Sequence, residues 1–250
     1  MKSVLRKCNK EDFEYLSMVL DSYAAFTNDR KRKSLLKDAF GLRPSRREEL
    51  ITLIDKQIRY YGSSDVAYIF RSIFSNDGGV SSLELVEDVA DKLKVKLKSS
   101  NSVESLLERL AVAVVDKELA SKSSDELIKS FREMGVSDQD LKQFLEHIKA
   151  SGAVIALPVI FKLLGPKVAL KIVENILIGV ISYVIGVTAA RQLVTEILKR
   201  NPMLNVLGPA VWVVSGTWLA FDVQGPAYRK TIPICLYLGI VSLRDGFEEK

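Results

Sequence analysis

The sequence predicts an all-α protein in which amphipathic helices pack around an apolar C-terminal helical hairpin. Three observations predict it. A Ser or Asn followed three residues later by an acid recurs ahead of apolar runs, as in Ser81 to Glu84, Asn101 to Glu104, Ser123 to Glu126 and Ser137 to Asp140. In that pattern a side-chain oxygen accepts from the free N–H groups of a helix start. Between the caps, apolar residues repeat at intervals of three and four, the period of one helix face. Charge is also divided unevenly: residues 1–150 hold 26 Lys and Arg against 25 Asp and Glu, and residues 151–250 hold 10 against 6. The chain reads as a charged amphipathic region, 1–150, and an apolar region, 151–250, expected to form one integrated fold. Its 250 residues, 27% charged and 48% apolar, suffice for a sizeable core and exclude wholesale disorder.

Asn9 or Lys10 opens the first expected helix, with Phe13, Leu16, Val19, Leu20 and Tyr23 on one face and acids in its first turn, where the helix dipole favours them. Residues 28–33 read as a polar, basic break, and the run Arg30 to Lys33 as a solvated helix start, with contact to phosphate or lipid head groups as the alternative. Ser45-Arg46-Arg47-Glu48 after Pro44 reads as a capping box. It opens a helix with Leu50, Leu53, Ile54, Ile58 and Tyr61, closed by Gly62 at a C′ position. A short helix with Val66, Ile69, Phe70 and Ile73 follows. Four more helices follow from the caps named above, carrying Leu83 to Leu97, Leu106 to Leu119, Leu127 to Phe131 (stopped by Gly135) and Leu141 to Ile148.

The pattern changes after residue 150. Residues 152–161 carry no charge, and Gly165-Pro166 interrupts the helix that follows. Asn175–Ala190 is uncharged for 16 residues, about 24 Å as a helix and short of a hydrocarbon core of roughly 30 Å. Met203–Phe221, about 28 Å as a helix, and Thr231–Leu243 form the two arms of the expected apolar hairpin, joined by a polar link that contains Gly225 and Pro226. Ser182, Gly186 and Ala190 make a column of small residues, and Gly216 with Ala220 a shorter one, which would let backbones approach closely. Trp212 and Trp218 lie inside the apolar run, whereas an interfacial belt would place them at its edges.

Several classes of chemistry lack their residues. His147 is the sole histidine and has no cysteine near it in sequence, so no metal site is expected. No Ser-centred nucleophile elbow, phosphate loop or dinucleotide fingerprint occurs, so neither catalysis nor a cofactor is expected. A net charge of +5, read as spread along the chain with no cationic face, does not point to nucleic acid. Cys8 and Cys235 are far apart and read as free thiols in a reducing compartment. The N-terminal residues show no apolar run of signal-peptide length, so a cytoplasmic protein is expected. In the link, Arg229 precedes Pro233 between two apolar segments. It reads either as a charged latch or lipid-phosphate contact, with Asp222 or Asp245 as partner, or as a cap on carbonyls freed by Pro233. Removing Arg229 is expected to matter more than removing Lys230.

The run Gly225-Pro226-Ala227-Tyr228-Arg229-Lys230-Thr231-Ile232-Pro233, followed by an apolar segment and Leu243-Arg244, resembles the C-terminal signature of the YaaW family of bacterial proteins. Asp12-Phe13-Glu14-Tyr15-Leu16, Tyr61-Gly62-Ser63-Ser64, the segment from Asp88 to Val95, and Leu207-Gly208-Pro209 resemble further family segments in the same order. The turn at Gly62 has one glycine where relatives often have two, and residues 151–170 are more apolar than in some relatives. The resemblance assigns no catalytic residue.

These readings lead to a non-enzymatic helical protein that associates with membranes or inserts conditionally, related by layout to pore-forming colicin domains and Bcl-2-like proteins. A stress or defence role and oligomers on membranes would fit that layout. Its partners would be a lipid bilayer or an apolar protein segment. The second expectation is a soluble, chaperone-like module with an apolar groove. The functional residues expected are Gly225, Pro226, Tyr228, Arg229 and Pro233 in the link, and Ser182, Gly186, Trp212, Gly216 and Trp218 in the apolar segments. Peripheral or conditional attachment at the inner membrane is the expected location.

Overall fold

A computed structural model describes residues 1–21, 29–62, 79–151, 157–186, 214 and 228–248. Among them are ten α-helices and no strand: α1 (Lys2–Lys7), α2 (Lys10–Leu20), α3 (Asp29–Ala39), α4 (Arg47–Tyr61), α5 (Ser82–Lys92), α6 (Val103–Ala120), α7 (Ser124–Glu133), α8 (Asp138–Ser151), α9 (Leu157–Ile185) and α10 (Tyr228–Glu248). The protein is all-α. The expected helix with Val66 to Ile73 and the hairpin arm Met203–Phe221, Val214 apart, lie outside the described residues.

Most of the expected caps form. Asn9 accepts from the Asp12 N–H at 2.9 Å while Asp12 accepts from the Asn9 N–H at 2.8 Å. Ser81, Ser123 and Ser137 each accept from the N–H three residues on. At α6 the cap is Ser102 rather than Asn101. The box at Ser45 does not form. Pro44–Arg46 is a 3₁₀ turn, so Ser45 sits inside helical backbone instead of before it. The Glu48 carboxylate instead accepts from Arg6 Nε at 2.9 Å and Nη2 at 3.2 Å. Gly62 has a right-handed φ of −75° and needs no left-handed glycine. Space requires it, because a Cβ there would meet Leu85 and lie 2.8 Å from Val80 Cγ2. Gly135, at φ 79°, is a left-handed terminus as expected, with the Val136 N–H bonding back to the Phe131 carbonyl at 3.0 Å.

The apolar half supplies the centre. Gly165 at φ 76° and ψ 163° kinks α9, and Pro166 begins the second segment. That segment, Pro166–Ile185, is about 30 Å long. α10 packs against α1, α2, α4, α5, α6 and α9. Every residue from Thr231 to Ser242 is buried, so over that stretch the helix has no solvent face. Gly239 permits its close approach to α6, since a Cβ would lie 2.8 Å from the Leu107 carbonyl oxygen. The sheath helices are amphipathic by contrast: α6 buries Leu106, Leu107, Leu110, Val114 and Leu119, as their spacing predicts. Cys8 and Cys235 are both buried free thiols.

Candidate functional site

The apolar middle of α10 is fastened at each end by polar clusters. Towards its C-terminal end, Asp12 of α2 is 2% exposed. Its Oδ1 accepts from the Tyr237 hydroxyl at 2.7 Å and from Arg244 Nη2 at 2.8 Å, while Oδ2 caps Asn9. Glu174 of α9, 8% exposed, feels the charges of Arg244, Asp12 and Lys171. Asp12 thus pairs directly with the Arg244 guanidinium, while Glu174, its carboxyl pushed up by burial, lies within range of the same charge. Arg244 Nε is buried with no hydrogen-bond partner among the described residues. The Tyr15 ring lies on Tyr237 at 4.0 Å between centroids, and its hydroxyl donates to the Pro233 carbonyl at 3.4 Å. Charges buried in this way hold only while paired, and losing one partner leaves the others uncompensated in apolar surroundings.

Towards the N-terminal end, Lys230 Nζ donates to the Leu20 carbonyl at 3.0 Å and to that of Asp21, and lies 4.3 Å from the Tyr61 ring centroid. Lys92 Nζ lies 4.8 Å from the Tyr228 ring centroid. Beside them, Arg32 is fully buried. Its Nε donates to Ser17 Oγ at 2.9 Å, Nη1 to Asp29 at 2.7 Å and Gln57 at 2.8 Å, and Nη2 to the Ser17 carbonyl at 3.0 Å and to Asp21. The expected solvated run Arg30 to Lys33 therefore belongs to α3, and its third member is a core residue. The reason is helix phase, because Arg32 shares the buried face with Leu35 and Ala39.

The expected link residues separate. Tyr228 and Pro233 lie on α10 with the contacts above. Arg229 is exposed and has no ion pair or hydrogen bond among the described residues, whereas Lys230 is anchored. This reverses the expected order of their importance. Gly225, Pro226, Trp212, Gly216 and Trp218, and Asp222 with them, lie outside the described residues, as does the side chain of Asp245. Ser182 stands on the last turn of α9, its Oγ buried without a partner among the described residues. Gly186 lies just past the helix end at φ 88°, and its N–H bonds the Ser182 carbonyl at 3.1 Å. It therefore terminates the helix on which the column of small residues was expected to continue.

One functional contact has no sequence signal. Asp116 of α6 accepts from the Leu157 N–H, at the start of α9, at 2.6 Å. It caps a helix that begins 41 residues away. Burial pushes its carboxyl above the usual Asp range, against the pull of that N–H. Among the described residues no group of three His, Cys, Asp or Glu is placed to hold a metal ion.

The segments that carry the family resemblance meet around α10. Asp12 and Tyr15 join Tyr237 and Arg244, Tyr61 joins Lys230, and Lys92 joins Tyr228. No family model matches the chain, and no solved structure matches it. A UPF0174 protein of Helicobacter pylori strain 26695 is 30% identical over 204 residues, covering 76% of this chain and 87% of that protein. Two UPF0174 proteins of strain J99 are 27% and 25% identical, over 76% and 73% of this chain and 70% and 83% of their own lengths. By identity and extent of match, the chain belongs to the UPF0174 family of bacterial proteins.

Proposed function

We propose that this chain is a non-enzymatic, membrane-associating protein that keeps apolar helices sheathed in water and gives them up to a bilayer conditionally. The observation that carries the reading is the middle of α10, buried from Thr231 to Ser242 between the apolar α9 and helices of the charged half. A helix with no polar face needs either a protein sheath or lipid. α9 adds to this, being the one helix among the described residues long and apolar enough to cross a bilayer. The polar clusters at the ends of α10 act as the fastenings that would have to open. The layout is that of pore-forming colicin domains and Bcl-2-like proteins by analogy. The resemblance to the YaaW signature fits the same reading, since Tyr228, Lys230, Pro233 and Arg244 take part in those fastenings. The location in this reading is the cytoplasm with attachment at the inner membrane, and assembly on the membrane would permit a pore.

Flotation of the purified protein with liposomes, and dye release from them, tests the proposal at neutral and acid pH. The protein is expected to float with liposomes that contain anionic lipid. A protein that stays monomeric, soluble and bilayer-inert in every condition contradicts the proposal. Binding of an added apolar helical peptide by such a protein would favour the chaperone-like reading instead.

A further inference from the structure

The charge of the chain is concentrated. Residues 29–47 hold eight Lys and Arg (Arg30, Lys31, Arg32, Lys33, Lys37, Arg43, Arg46, Arg47) against Asp29 and Asp38, a net +6, whereas the whole chain nets +5. All the other residues together therefore net −1. This corrects the reading of an evenly spread charge. The structure also sorts these cations. Arg32 is internal. Arg47 Nη2 donates to the Arg6 and Cys8 carbonyls at 2.9 and 2.8 Å. Arg46 pairs with Asp38 and Glu49, Lys31 with Glu49 at 3.2 Å, and Lys33 with Asp21 at 2.8 Å. Arg30, Lys37 and Arg43 are exposed and have no ion pair among the described residues. Arg30, Lys33 and Lys37 recur at i, i+3 and i+7 along α3 and so share one face. The undescribed stretch before α3, residues 22–28, brings no charged residue to neutralise them.

Just past the end of α3, in the turn before the 3₁₀ turn Pro44–Arg46, Leu42 is 97% exposed. It is the most exposed large apolar side chain among the described residues, the others being Tyr60 at 37% and Tyr183 at 51%. A leucine held in water beside Arg43 gains nothing from the fold. It gains from entering the acyl boundary while the neighbouring cations meet lipid phosphates. Among the described residues the face offers no exposed ring for base stacking, since Phe40 packs on Phe13 at 5.6 Å between centroids and lies under Arg47.

We infer that the α3 face with its Leu42 turn is the surface by which this protein docks on an anionic bilayer, with Arg30, Lys37 and Arg43 contacting lipid phosphate and Leu42 entering below them. The inference rests on the membrane-associating reading and adds the face and the lipid class.

The test compares the full chain with R30Q/K37Q/R43Q and with L42S, by co-sedimentation with vesicles of phosphatidylcholine alone and of phosphatidylcholine mixed with phosphatidylglycerol. Far-UV circular dichroism and thermal melts establish that the variants fold. All four side chains are solvent-exposed, so the melts are expected to be unchanged. Each surface cation contributes about fivefold to partition onto an anionic surface, so the triple variant should lose roughly a hundredfold on the phosphatidylglycerol vesicles. L42S should lose about tenfold. Wild-type binding should weaken as salt is raised. A triple variant that binds the vesicles as well as wild type does overturns the docking face and leaves membrane association standing. A wild type that binds no vesicle removes the membrane reading itself. A triple variant impaired only in binding a duplex oligonucleotide would make the face a nucleic-acid surface and overturn the proposal.

Discussion

Lys230 and Arg229 are neighbours in sequence and differ in surroundings, because successive residues of a helix point about 100° apart. The Lys230 ammonium bonds two carbonyls that close the end of α2 and lies over the Tyr61 ring. Arg229 points to solvent. Lys230→Ala should therefore destabilise by about 1–2 kcal/mol, from two hydrogen bonds and a cation–π contact. Arg229→Ala should stay within about 0.5 kcal/mol, as surface changes do. Urea denaturation measures both, and equal effects would contradict this assignment. The sequence reading singled out Arg229, whereas the contacts belong to Lys230. A helix apolar all round has no polar face from which its phase can be read. Arg32 was read as solvated, although Leu35, Leu36 and Ala39 stand three, four and seven residues after it and mark the buried face it belongs to. Asp12 and Arg244 were visible only as parts of a resemblance. Their ion pair joins residues 232 positions apart, a separation that periodicity cannot bridge.

Helix starts were legible at most local caps, and at α6 to within one residue. Asn9, Ser81, Ser123 and Ser137 bond the N–H three residues ahead, and the residues alone specify that geometry. Ser45 had the same spacing, but Pro44 starts a 3₁₀ turn and places it within helical backbone. The kink at Gly165 was legible because a left-handed glycine followed by proline cannot continue a helix. The start of α9 was not, because its cap comes from Asp116 on another helix. A carboxyl raised by burial binds its proton more tightly in the folded state. Its contribution to stability is therefore complete below the unfolded Asp value and is lost as pH rises through the higher folded value. Asp116→Asn keeps an oxygen for the Leu157 N–H and cannot ionise. Relative to wild type its stability should improve between about pH 4 and pH 7. Asp116→Ala should lose about 1 kcal/mol with the cap. Chemical denaturation at the two pH values checks both, and a stability difference between the Asp116→Asn variant and wild type that does not change with pH would contradict the sign.

At the scale of the molecule, the unequal division of charge between the two halves foretold which helices form the sheath and which the centre. The hairpin expected from Met203–Phe221 and Thr231–Leu243 has its first arm outside the described residues, Val214 apart; the described partners of α10 are α9, α6 and four other helices of the charged half, which the sequence did not single out. Which apolar helices touch depends on small residues such as Gly239 and on side-chain fit, which an apolar pattern does not encode. The central claim is that α10 is sheathed in water and meets lipid on a membrane, and Cys235, within its buried stretch, reports on that directly. The measurement is labelling of Cys235 by a lipid-soluble maleimide, assigned by peptide mapping, with and without vesicles containing phosphatidylglycerol. The account predicts protection of Cys235 in water and labelling once the protein is vesicle-bound. Protection that persists unchanged while the protein is bound to vesicles would contradict it.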